Sequence, residues 1–151
     1  MAPDHDDILD TDRGERLAKF LGDVKGPWTK EKIITYLRAN GRCEYCGADV
    51  LSSCEAFWGS DWDHILPKHH GGEKDDFDAN IAVACRRCNT LKGRDLPSGV
   101  KADELLKTRR QDRINVFKPL VLEQRRKDQP VRVFCAFREL VEMARCAKAR
   151  S

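Results

Sequence analysis

The sequence predicts an α+β fold: two short strands followed by a helix form a small centre, with further helices on both sides. Three observations carry this. Two short apolar runs, Trp62–Leu66 and Ile81–Ala84, are each bounded by turn-forming residues. Two Cys-x-x-Cys pairs, Cys43/Cys46 and Cys85/Cys88, bracket them. Apolar residues recur at helical spacing upstream of Cys43 and through the last third of the chain. At 151 residues the chain is long enough for one domain, or for a small core with an extension.

Residues 1–12 hold five Asp and little to bury, so a disordered acidic arm is expected. Residues 13–42 read as N-terminal helices. The first runs from Arg13 to Leu21 with Leu17, Phe20 and Leu21 on one face, and Gly22 and Gly26-Pro27 end it. The second runs from Trp28 to Ala39, with Thr29 as its N-cap and Trp28 stapled onto Ile33 or Ile34. Asn40-Gly41 stops it and hands the chain to Cys43-Glu44-Tyr45-Cys46-Gly47. In residues 48–60, Cys54 reads as a small buried or half-buried hydrophobe, and Phe57 and Trp58 as core contacts. Pro67 closes the first strand, Lys68-His69-His70-Gly71-Gly72 forms a loop, and a helix from about Asn89 to Arg94 follows the second strand. The last third reads as three helices: Ala102 to about Val116, a run from Pro119 to about Lys127, and an amphipathic one carrying Val133, Phe134, Phe137, Leu140, Val141 and Ala144.

No apolar run approaches a membrane span, and the acidic N-terminus lacks the basic and apolar regions of a secretion signal. The expected location is the cytoplasm, where a disulfide framework is disfavoured and paired Cys-x-x-Cys reads as metal binding. Charge is uneven. Residues 1–100 carry 14 Lys and Arg against 18 Asp and Glu, and residues 101–151 carry 14 against 7. Such a basic tail suits a polyanion such as nucleic acid, or is a solvated helix surface.

Four thiolates from Cys43, Cys46, Cys85 and Cys88 would close a structural zinc site, with no position left for substrate. The gap between the pairs exceeds the roughly 15–20 residues of a zinc ribbon, and the insertion contains Asp63-His64. Asp63 offers a hard oxygen ligand, His64 a base that titrates near neutrality, and Asn89 a neutral carbonyl oxygen. Singly, each has a plainer reading: a turn residue, a half-buried histidine, a helix cap. Adjacent strand residues point to opposite faces, so Asp63 and His64 can share a site only where the strand twists or ends. Lys68, His69, His70, Arg86, Arg87, Lys92 and Arg94 surround the pair, either as phosphate contacts or as solvated charges. His69 or His70 is also a candidate for an extra metal ligand.

The pattern Asp63-His64-Ile65-x-Pro67, Gly71-Gly72, Asp75-Asp76, Asn80-Ile81, Cys85-x-x-Cys88-Asn89-x-x-Lys92-Gly93 resembles the HNH endonucleases of the zinc-containing, ββα-metal (His-Me finger) type over about residues 43–95. The resemblance implies a nuclease core at 43–99 stapled by a four-cysteine zinc site, with a basic helical extension at 100–151. It implies a metal-dependent endonuclease acting on DNA, with RNA as an alternative substrate, and leaving 5′-phosphate and 3′-hydroxyl ends. His64 would be the general base, Asp63 and Asn89 the ligands of a catalytic Mg²⁺, Mn²⁺ or similar ion, and Asn80 the brace of the loop that aims His64. Outside the stretch that carries the resemblance, the helical C-terminal third is expected to add DNA contacts or to join two copies as a homodimer. The competing reading is a zinc-knuckle nucleic-acid-binding module without catalysis.

Overall fold

The computed structural model describes residues 5–23, 28–127 and 130–148. Its elements in order are α1 (His5–Leu9), α2 (Asp12–Asp23), α3 (Lys30–Arg38), α4 (Cys54–Trp58), β1 (Ser60–His64), a single 3₁₀ turn (Lys68–His70), β2 (Ile81–Cys85), α5 (Arg86–Lys92), α6 (Ala102–Leu105), α7 (Arg110–Lys127) and α8 (Pro130–Lys148). This is the α+β arrangement of a two-stranded sheet and helices. No helix among the described residues is long and apolar enough to cross a membrane.

The strands pair antiparallel with Ser60 opposite Cys85, Asp63 opposite Ala82 and His64 opposite Ile81. A two-stranded sheet is marginal alone, and here both faces are covered. On one face lies α5, backed by α7 through Ile114, Phe117 and Val121, all fully buried. On the other sits an aromatic cluster: Trp28 stacks on Phe57 at 5.5 Å between ring centroids and meets the edge of Trp62 at 5.1 Å. Trp62 Nε1 donates to Thr35 Oγ1 at 2.8 Å, which fixes α3 against β1. Thr29 caps α3 by accepting from Lys32 N, as expected of that residue.

Several local expectations are revised. Residues 5–9 of the expected loose arm form α1, because Gly14 lets α2 seat directly on it; a Cβ there would lie 2.1 Å from the Ile8 carbonyl oxygen. Residues 1–4 of that arm lie outside the described residues. Trp28 packs into an aromatic cluster with Tyr36, Phe57 and Trp62. Cys54 and Trp58 are exposed, since α4 is too short to turn more than one face, that of Phe57, inward. β1 lies two residues earlier than its apolar run suggests, leaving Ile65 and Leu66 buried beyond the strand. Pro119 sits inside α7. The cost of an interior proline, about 3 kcal/mol, is offset by buried Phe117 and Val121 on either side of it.

Candidate active site

The first knuckle is a tight turn. Cys43 N donates to the Ala48 carbonyl at 2.9 Å and Gly47 N to the Cys43 carbonyl at 2.8 Å, with Gly47 at φ +76°. The second is the junction of β2 and α5, where Cys85 ends the strand and Cys88 lies in the first helical turn. The two are locked by Glu44: its N–H donates to the Val83 carbonyl, its carboxylate accepts from Val83 N, and Arg110 of α7 pairs with that carboxylate.

This brings the Sγ atoms of Cys43, Cys46, Cys85 and Cys88 within 4.8 Å of one another. A tetrahedral ion with bonds to sulfur of about 2.3 Å requires sulfurs about 3.8 Å apart; Cys46 and Cys85 are 3.9 Å apart. The donor set therefore fits a closed tetrathiolate metal site. Four thiolates around a divalent ion leave a net charge of about −2, and the fold supplies a partner for it. The Arg125 guanidinium lies 3.7 Å from both Cys85 Sγ and Cys88 Sγ. Burial opposes the charge on Arg125, but the neighbouring thiolates outweigh burial and raise its pKa. Arg87 donates to the Arg125 carbonyl at 3.0 Å, tying α5 to α7 at this point. Replacing Arg125 by Ala is expected to weaken metal retention about tenfold, measured by competition with a chromophoric chelator. Arg125→Lys should recover part of the loss.

A cavity of about 440 Å³ opens at the end of β1, lined by Asp63, His64, Pro67, Lys68, His69, Asn89, Lys92, Gly93 and Arg94. Asp63 and His64 both reach it because β1 ends at His64, which resolves the opposite-face problem of adjacent strand residues. Asp63 faces α5 and is buried. Its Oδ2 accepts from the Tyr45 hydroxyl at 2.5 Å and its Oδ1 from Lys92 Nζ at 3.2 Å. Burial pushes the Asp63 carboxyl above its usual range, against the pull of Lys92 and Tyr45. Each carboxylate oxygen keeps a second lone pair for a further contact. Asn89 lies within α5, one residue after Cys88, so it is not a helix cap. Its Nδ2 donates to Asp61 Oδ2 at 3.3 Å, which leaves the amide oxygen as its ligand atom.

His64 is half-buried, with Nε2 3.3 Å from the Lys74 carbonyl. Burial first, and the Lys68 charge second, depress its pKa below the ordinary histidine value. Asn80 sits at the centre of the loop that carries this carbonyl. Its Oδ1 accepts from Leu66 N at 2.8 Å, and its Nδ2 donates to the carbonyls of Leu66 and Glu73 at 3.0 and 3.1 Å. Gly72 packs under the same loop, where a Cβ would be 1.8 Å from the Leu66 carbonyl oxygen. Asn80→Ala leaves the buried N–H and carbonyl of Leu66 without this partner, frees the carbonyl of exposed Glu73, and is expected to cost about 2–4 kcal/mol, read as a lower urea midpoint with the slope unchanged.

Of the seven basic residues expected to touch nucleic acid, Lys68, His69 and Arg94 line the cavity as exposed groups. Lys92 lines it but is buried and committed: besides Asp63, its Nζ donates to the His64 carbonyl at 2.8 Å and rests 4.9 Å above the Phe117 ring. It is a structural cation, because burying an ammonium requires such partners. His70 stacks against His69, Arg87 reaches α7, and Arg86 is exposed away from the cavity lining. Sequence reasoning misses Tyr45, Asp61 and Arg125. Asp61 shares a strand face with Asp63 by the two-residue period, a signal open to sequence reading. Tyr45 lies inside the first knuckle, and its aim at Asp63 depends on how the knuckles dock. For Arg125 no local signal exists.

Residues 43–95 match the family described as HNH endonuclease. The match takes in both knuckles, both strands, α5 and every residue of the cavity lining. Comparison with curated proteins and with solved structures gave no match.

Proposed function

We propose, from the match of residues 43–95 to the HNH endonuclease family, that this protein is a metal-dependent endonuclease that hydrolyses phosphodiester bonds of DNA. The observation that carries the reading is that the adjacent pair Asp63-His64 on β1 and the sequence-distant Asn89 on α5 line one cavity. Hydrolysis needs a water stripped of a proton and a means of neutralising charge on the leaving oxygen. His64 is the general base. Its depressed pKa keeps the ring neutral at pH 7. With Nε2–H turned to the Lys74 carbonyl, Nδ1 carries the lone pair that takes the proton. Asp63 and Asn89 would hold a Mg²⁺ or Mn²⁺ ion, which supplies the charge neutralisation when bound. Lys92 fixes Asp63 and the backbone of His64 relative to each other. Asn80 holds the loop that presents the Lys74 carbonyl. Lys68, His69 and Arg94 bind phosphates and position the strand without reading its sequence.

In this reading the four cysteines hold zinc, whose role is structural, and residues 43–99 are the nuclease core between helices at 13–42 and 100–151. A reducing, cytoplasmic setting is part of the same reading, because paired Cys-x-x-Cys thiols bind metal where disulfides are disfavoured. The test is supercoiled plasmid incubated with the zinc-loaded protein and Mg²⁺ or Mn²⁺, with an RNA duplex in parallel. Nicked circles that DNA ligase reseals directly are expected, because resealing requires 5′-phosphate and 3′-hydroxyl ends. Nicks that need end repair first would contradict the expected chemistry, and cleavage of the RNA alone would contradict the substrate.

A further inference from the structure

We propose that α8 pairs with the α8 of a second copy of this chain, so that the protein is a twofold dimer joined through its C-terminal helix. Every residue from 133 to 146 is exposed, yet the helix carries Val133, Phe134, Phe137, Leu140 and Val141 at 45–64% exposure. Their spacing of i, i+1, i+4, i+7 and i+8 gathers them, with Ala144, into one stripe about 120° wide. A solvated helix has no use for such a stripe, and among the described residues the stripe meets no large surface of its own chain. The apolar residues of the preceding helix show the contrast: Ile114, Phe117 and Val121 are fully buried against the body.

The second copy is the occupant favoured by three features. The first is periodicity: Val133 to Leu140 and Phe134 to Val141 are both seven-residue steps, the repeat of helices that pack side by side. A single stripe of this kind is complementary to itself, which allows an isologous, closed interface. The second is area. The five large apolar side chains of the stripe expose about 500–600 Å² per copy, so that two copies would bury about 1,000–1,200 Å², the lower end of the range for specific interfaces. Along the edge of the stripe lies a groove of about 280 Å³ between Phe134, Phe137 and Val141 on one side and Arg138, Glu142 and Arg145 on the other, able to receive an apolar side chain. The third is charge. Between residues 133 and 146 the charged residues are Arg138, Glu139, Glu142 and Arg145, two of each sign. A helix made to lie on nucleic acid or an anionic membrane would be basic along its length; α8 is net basic only through Arg132 and Lys148 near its two ends, and most of the basic excess of the C-terminal third lies in residues 101–127, with nine Lys and Arg against four Asp and Glu.

A dimer places two His64 cavities in one particle. The consequence for cleavage rests on the nuclease reading above; the pairing does not. The test is sedimentation equilibrium of the full-length, zinc-loaded protein at micromolar concentration. The expected mass is twice 17.3 kDa. The double substitution Phe137→Glu with Leu140→Glu should return the mass to one chain, with unchanged zinc content, while Glu139→Lys on the polar face should remain dimeric. In plasmid assays the wild type should make linear product alongside nicked circles, and the double variant should make nicked circles at an unaltered rate per chain. A monomeric wild type, or a dimer that the double substitution leaves intact, overturns the proposal. A mass shift seen as expected in proteins that cut nothing would uphold the pairing and reject the nuclease reading.

Discussion

Cys85→Ser is expected to lose its metal and most of its folded structure together. Cys85 ends β2, precedes the first turn of α5 and supplies one of four clustered thiols. A serine hydroxyl does not ionise at neutral pH and is a poor ligand for zinc. The effect reaches the whole centre because the knuckles are its floor: Cys43, Tyr45, Val50 and Cys88 are all buried at 1% exposure or less, and the sheet they support has only two strands. Structural zinc contributes an apparent free energy of about 10–16 kcal/mol in small domains, more than the ~5–15 kcal/mol by which a typical domain is stable. Zinc content should fall from about one ion per chain to under about a tenth, with loss of the cooperative thermal transition. Cys54→Ser, at an exposed cysteine, should change neither. A Cys85→Ser protein that stays folded with full metal content would remove the zinc site from the account.

The centre is legible in the sequence because its residues act through local spacing. Within each Cys-x-x-Cys the spacing lets both thiols reach one ion, and the order strand, strand, helix follows from runs ended by Pro67 and by Cys85. The motif places Asn80 as a brace, and its three hydrogen bonds to the loop are of that kind. What sequence does not supply comes from docking between distant elements. Lys92 belongs to the motif, but its burial over Phe117 depends on α7. Arg125 reaches the thiols only because α7 continues through Pro119, where proline alone argues for a break. On α8 the helical period is plain, whereas the exposure of its stripe is a tertiary fact that no periodicity reveals; the helix expected from Ala102 to about Val116 is instead interrupted at 106–109 between α6 and α7.

His64→Ala is expected to keep its fold and its zinc and to lose cleavage. The ring is half-buried and touches the Lys74 carbonyl, while the bond that braces Lys92 comes from the backbone carbonyl of His64, which alanine retains. Removing the ring takes away the proton acceptor and leaves the Asp63 and Asn89 side chains in place. A positioned general base contributes about 10²–10⁴-fold to rate, so the variant should fall by at least the lower figure. An impurity could mimic a weak nuclease, but it would not respond to one side chain. The most direct measurement is therefore the first-order rate of plasmid nicking in Mn²⁺ by wild-type and His64→Ala proteins purified in parallel and matched for zinc content. Rapid nicking by the wild type with a loss of about a hundredfold or more in the variant is the expected result. Equal rates for the two proteins, or no nicking by the wild type in any divalent metal, would contradict the assignment of His64 and leave the zinc-knuckle binding module as the better account.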